Sequence, residues 1–168
     1  MEIRIAGTVD DSIVDGPGIR YTVFTQGCPH HCPGCHNPKT HAQDGGYTVD
    51  TEKIVAQLRA NPLLDGLTLS GGEPFEQPAA CTELARQAHA LGLNVWCYTG
   101  YTCEVLLTAK NPAWEALLQQ VDVLVDGPFL LGERSLELQY RGSKNQRLLD
   151  MPRTLETGVP VLWAAPTW

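Results

Sequence analysis

An α/β fold on a mostly parallel, open sheet is the architecture this sequence predicts, and three observations carry the prediction. Short apolar runs of strand character alternate with amphipathic helical stretches, the order that yields a parallel sheet covered by helices. Five or so such runs are visible, too few to close an eight-stranded barrel, so a partial, open β/α barrel is expected. No repeat, low-complexity tract or charged tail interrupts the 168 residues, so residues 1–168 are read as one domain, large enough for an apolar core without cross-links.

A strand is placed at Tyr21 to Gln26, leading into a cysteine-rich loop. Thr48 or Asp50 can cap a helix whose Ile54, Val55 and Leu58 share one face and which stops before Pro62. Gly66 to Ser70 is a short apolar strand ending in a Gly-Gly turn. Pro78 suits the first turn of the next helix, Leu84, Ala88 and Leu91 mark its buried stripe, and Gly92 suits its C-terminal cap. Leu93 to Thr99 and Val121 to Asp126 follow as strands, the second with the Val/Leu content of a buried parallel strand. Asn111-Pro112 splits the helical stretch between them into Cys103–Ala109 and Ala113–Gln120, and Val159 to Ala164 is expected as the last strand. Functional loops of such a sheet gather at the C-terminal ends of its strands. The cysteine loop and the Gly-Gly turn both fall there.

Composition narrows the function classes. A net charge of −7 argues against a sequence-independent grip on nucleic acid or an anionic membrane. The longest apolar run cannot cross a bilayer, and the N-terminal residues lack the basic start and apolar stretch of a secretory signal, so a cytoplasmic, reducing setting is expected. Six cysteines permit a disulfide framework, but a chain of this size in that setting does not need one.

Cys28, Cys32 and Cys35 crowd into one loop with the spacing C-x3-C-x2-C. Three thiolates there can hold one metal centre. A four-iron cluster bound by three protein ligands keeps one iron open for chemistry. A structural zinc site with His30, His31 or His36 as fourth ligand fits the same residue types, and the loop alone leaves both readings open. A second constellation separates them: Ser70-Gly71-Gly72-Glu73-Pro74, about 35 residues further on. Consecutive glycines let a ligand approach the backbone, and the Glu73 carboxylate suits an ammonium group.

The pair of motifs resembles the radical S-adenosylmethionine (SAM) superfamily. Asp15-Gly16-Pro17-Gly18-Ile19-Arg20 before the loop and Cys35-His36-Asn37-Pro38 at its end resemble the activases of glycyl-radical enzymes. Tyr98-Thr99-Gly100-Tyr101, Asp126-Gly127-Pro128-Phe129 and the segment Arg141 to Arg147 are similar to the branch acting on anaerobic ribonucleoside-triphosphate reductase. An activase of pyruvate formate-lyase or a related enzyme is the near alternative, and a non-catalytic zinc-binding module the distant one.

The resemblance implies a radical SAM-type partial barrel, one 4Fe-4S cluster on Cys28, Cys32 and Cys35, and SAM chelating the open iron. One-electron cleavage of SAM then yields a 5′-deoxyadenosyl radical that takes hydrogen from a backbone glycine of the reductase. It also implies a low-potential electron donor such as flavodoxin or ferredoxin. Gly71, Gly72 and Glu73 match the segment meeting the SAM amino group, and Gly34 and His36 match positions whose backbone meets the adenine. Most of the superfamily has an aromatic residue where this chain has Gly34. Tyr98, Thr99 and Asp126, at ends of later strands, are candidates for the SAM pocket. His30, His31 and His41 are read as solvated, Cys81 and Cys97 as core, and Trp96, Trp114 and Trp163 as core or interface. The segment Arg141 to Arg147 is read as an exposed loop that touches either the partner or the SAM carboxylate.

Overall fold

A computed structural model describes residues 1–35, 38–135 and 137–164. Seven strands form one open sheet in the order β3-β1-β2-β4-β5-β6-β7. They are β1 (Glu2–Ser12), β2 (Arg20–Thr25), β3 (Tyr47–Asp50), β4 (Gly66–Gly71), β5 (Asn94–Tyr98), β6 (Val123–Asp126) and β7 (Arg147–Asp150). The central strands β2, β4, β5 and β6 pair in parallel, whereas β1 lies antiparallel to β2 and β3, and β7 antiparallel to β6. Only β1 and β7 therefore run against the common direction.

The helices are α1 (Thr51–Ala60), α2 (Pro78–Ala90), α3 (Cys103–Thr108), α4 (Pro112–Gln120) and α5 (Met151–Thr157). Their boundaries follow local chemistry. The Asp50 side chain accepts the Glu52 N–H to cap α1, while Thr48 lies inside β3. Asn111 caps α4 through the amides of Ala113 and Trp114. Gly92, at φ 80°, turns the chain out of α2.

Period-two alternation divides the sheet into two faces. Val95 and Cys97 of β5 join the main core, with Leu67 and Leu69 of β4 and residues of all five helices. Trp96 points to the opposite face, where Val123, Val125, Tyr98, Tyr140 and Trp163 gather. That face also holds Arg20, fully buried with its guanidinium 5.6 Å from the Trp96 ring. Arg20 donates to Thr68 Oγ1 and to the carbonyls of Leu67 and Pro17, and burial lowers its pKa to about 10.

Two expectations need correction. The sheet has seven strands among the described residues rather than about five, because β1, β3 and β7 carry too few buried apolar side chains to stand out in sequence. Val159 to Ala164 is not a strand. The chain there makes one bridge, Leu149 to Leu162, flanked by bonds from Asp150 N–H to the Val161 carbonyl and from Trp163 N–H to the Leu148 carbonyl. Its Val159 and Leu162 side chains are exposed.

Candidate functional site

Parallel pairing brings the two motif-bearing loops together. β2 and β4 stay in register to their last residues, Thr25 beside Gly71, so the cysteine loop and the Gly-Gly turn leave the sheet side by side. The loops then interlock. Gly72 N–H donates to the Thr25 carbonyl at 2.8 Å, and Glu73 N–H donates to the Gly27 carbonyl at 2.9 Å. A Cβ on Gly71 would stand 2.4 Å from Thr25 N, and one on Gly72 would stand 2.4 Å from the Gly27 carbonyl oxygen. The glycines are thus required by the approach of one backbone to the other, independently of any ligand.

Cys28, Cys32 and Cys35 line one cavity of about 360 Å³ together with Gly71, Gly72 and Thr99. That volume falls within the range of small-ligand sites. Cys28 is buried, and burial pushes its thiol pKa up, whereas Cys32 and Cys35 are half-buried. Its N–H donates to the His41 carbonyl at 3.2 Å, and Cys35 N–H donates to the Cys32 carbonyl at 3.1 Å. Among the described residues, no three His, Cys, Asp or Glu side chains cluster closely enough to hold a single ion. Three cysteines lining one cavity are the residue type and number that can hold an iron–sulfur cluster with one iron left open.

The remaining predicted residues divide between cavity wall and support. Tyr98, Thr99, Gly100 and Gly127 line the wall at the ends of β5 and β6. Burial raises the Tyr98 phenol, whose hydroxyl donates to the Tyr140 carbonyl. The Glu73 carboxylate is fully buried behind that wall. It accepts the Gly100 N–H at 2.8 Å, the Phe75 N–H at 3.1 Å and the Thr99 hydroxyl at 2.9 Å. Asp126, also buried, accepts the Cys103 N–H at 2.8 Å and two donors of Arg147. Gly34 lies on an exposed crest at φ 73°, where a side chain would collide with Leu131. His36 falls outside the described residues.

One residue of this site was read otherwise from sequence, and a second lies in one of its two expected places. His30 is not solvated: its side chain is 16% exposed, and Nε2 lies 2.6 Å from Glu73 Oε1. Arg141 is part of the cavity wall and, among the described residues, the only lysine or arginine lining it. Its Nη1 donates to the Gln146 carbonyl at 3.2 Å, while its buried Nε has no hydrogen-bond partner. A cationic group with a spare buried donor beside three thiolates and a bare backbone turn fits a ligand carrying both a carboxylate and a metal-binding group.

Comparison with known proteins identifies the family. A family described as "4Fe-4S single cluster domain" matches residues 14–149, which include both loops. A protein of Vibrio cholerae is 38% identical over 142 residues, spanning 80% of this chain and 89% of its own length. The Escherichia coli K12 relative is 35% identical, with 80% of this chain and 90% of that one covered. A bacteriophage T4 protein is also 35% identical, covering 80% of this chain and 86% of the relative. All three bear one name, and an alignment of that identity across four-fifths of the sequence shows that the chain belongs to the anaerobic ribonucleoside-triphosphate reductase-activating proteins.

Proposed function

We propose that this protein activates an anaerobic ribonucleoside-triphosphate reductase by generating a radical on a glycine of the reductase backbone, using a 4Fe-4S cluster and SAM. The observation that carries this reading is the opening of the three-cysteine loop and the Gly71-Gly72 turn onto one cavity of about 360 Å³. When bound, the cluster supplies one electron and SAM supplies the 5′-deoxyadenosyl group, whose radical takes the glycine hydrogen.

The chain's own residues bind, orient and exclude water. Cys28, Cys32 and Cys35 hold the cluster. The backbone of Gly71 and Gly72, half-buried in the cavity wall, receives the SAM amino group. Glu73 works from behind, fixing the Thr99-Gly100 turn by accepting the Thr99 hydroxyl and the Gly100 N–H. Arg141 receives the carboxylate. Phe129, Leu138 and Val14 supply apolar wall that keeps water from the reacting groups. The family resemblance assigns Gly34 and His36 to the adenine side, and Asp126 sets the end of β6 without entering the cavity wall. The sheet then serves as the partial barrel of the radical SAM superfamily. A flavodoxin or ferredoxin in the cytoplasm is the expected electron source. No helix among the described residues is long and apolar enough to cross a membrane.

The test is anaerobic reconstitution with iron and sulfide, then incubation with SAM, a strong reductant and the reductase. Formation of 5′-deoxyadenosine together with a glycyl radical signal by electron paramagnetic resonance is expected. An assembled cluster that never cleaves SAM would overturn the reading.

A further inference from the structure

The His30–Glu73 contact joins two segments 43 residues apart and has no part in the ligand set described above. Glu73 is fully buried, and every other contact to its carboxylate comes from a donor: the Thr99 hydroxyl, Gly100 N–H and Phe75 N–H. A carboxylate only accepts, so His30 presents Nε2–H to it. A charge-assisted bond of 2.6 Å in a buried setting is of the strong class. The imidazole is boxed in as well. Its ring stands edge-on to Tyr101 with centroids 4.6 Å apart. Gly100 packs against it so closely that a Cβ there would lie 2.4 Å from His30 Cδ2. Tyr101 is in turn held by Glu76, which accepts its hydroxyl at 2.9 Å.

His30 is the middle residue between Cys28 and Cys32. Both its neighbours, Pro29 and His31, are exposed, and His31 makes only an edge-on ring contact with His41, whereas the His30 imidazole reaches a buried carboxylate. The wall it reaches is the Thr99-Gly100 turn that also borders the cavity. We propose that His30 is a positioning residue, a latch through Glu73 that holds the thiolate loop against the β5 wall before any cluster assembles. The proposal rests on the assignment of Cys28, Cys32 and Cys35 as cluster ligands. It extends that assignment by giving the loop a fixed shape set by protein alone, which decides where the open side of a bound cluster faces.

Amide hydrogen exchange on the full-length, metal-free chain tests the latch without depending on activity. In H30A, exchange at the Cys28, Cys35 and Gly100 amides rises about tenfold or more, as loss of one bond to a buried carboxylate implies, while β4 and β6 keep their protection. H30Q retains a donor and returns exchange toward wild type. In reconstituted protein, H30A takes up iron but loses part of the change that SAM induces in the spectrum of the reduced cluster, and H30Q restores it. Loop exchange in H30A within about twofold of wild type overturns the proposal. If H30A loses sheet protection too, H30F decides, since it fills the box beside Gly100 and Tyr101 but cannot donate. Raised loop exchange over a protected sheet then supports the latch, and wild-type exchange overturns it. A wild-type cluster indifferent to SAM would sink the proposed function and leave the exchange result to judge the latch.

Discussion

Arg147 closes a two-pronged hydrogen bond on Asp126, Nε to Oδ1 at 3.0 Å and Nη2 to Oδ2 at 2.5 Å, across the antiparallel pairing of β7 with β6. Asp126 Oδ2 also accepts the Cys103 N–H that opens α3. One carboxylate therefore ties two strands and a helix start together directly beneath Gly127, a residue of the cavity wall. Arg147→Ala leaves Asp126 buried with a single neutral donor, and the cost of an uncompensated buried charge is about 3 kcal/mol, reduced somewhat because Arg147 is partly exposed. Arg147→Lys keeps the charge but loses the fork and recovers about half of it. Urea midpoints of the two variants check the ranking.

Glu104 shares the same guanidinium, and the Arg147 hydrogen bond holds its carboxyl below the usual range. A depressed folded-state value means stability that is present above the unfolded-state pKa and lost as pH falls through the lowered one. With Glu104 mostly exposed, the contribution is under about 1 kcal/mol. Denaturation of wild type and E104Q should therefore differ slightly at neutral pH and converge as the pH falls below the ordinary carboxylate range.

The interlocked glycines predict a sharper effect. Gly71→Ala forces a side chain at φ 96° against Thr25 N, and Gly72→Ala forces one against the Gly27 carbonyl. In each case the obstacle is backbone, which cannot swing aside, so each costs about 2 kcal/mol or more. Because Gly27 leads directly into Cys28, iron bound per chain after reconstitution falls with stability. Gly132→Ala, with nothing within 4 Å of the new methyl, is the neutral control.

How much of this was legible in the sequence depends on range. β2, β4, β5 and β6 announce themselves as compact apolar runs because both their faces are covered. Edge strand β3 has no fully buried residue and β7 only Leu149, so neither carries a pattern to read. The cysteine spacing and the glycine pair lie within short windows and were readable. His30 was not, because what removes it from solvent is Glu73 in another loop, and a histidine inside a cysteine loop gives no local sign of its partner. For Asp126 the strand end was correctly located. Its engagement by Arg147 follows from the β6–β7 register, which the polar loop between them conceals.

Thiol chemistry separates the six cysteines. Burial pushes Cys103 to about 11 and the fully buried Cys81 and Cys97 higher still. At pH 8 a thiol of pKa 11 is thiolate in about one molecule per thousand, and the thiolate is the reactive form. Iodoacetamide added to metal-free protein at pH 8 should label Cys32 and Cys35 first and Cys28 more slowly. Cys81, Cys97 and Cys103 should react only on unfolding, as peptide mass spectrometry would read. Early labelling of Cys81 or Cys103 contradicts the burial on which this order rests.

Arg141 tests which part of the cavity binds which part of the ligand. As the only lysine or arginine in the lining among the described residues, with a buried Nε lacking a partner there, it has both charge and a donor to offer a carboxylate. Loss of a charge-assisted bond made equally in bound substrate and transition state raises KM and spares kcat. Arg141→Ala should raise the KM for SAM about tenfold to a hundredfold with iron content unchanged, and Arg141→Lys should restore part of it. Steady-state formation of 5′-deoxyadenosine measures both parameters. An unchanged KM for SAM with a weakened response to added reductase would instead place Arg141 at the partner's surface. A drop in kcat alone would mean that the guanidinium acts on the reacting groups and not on the carboxylate.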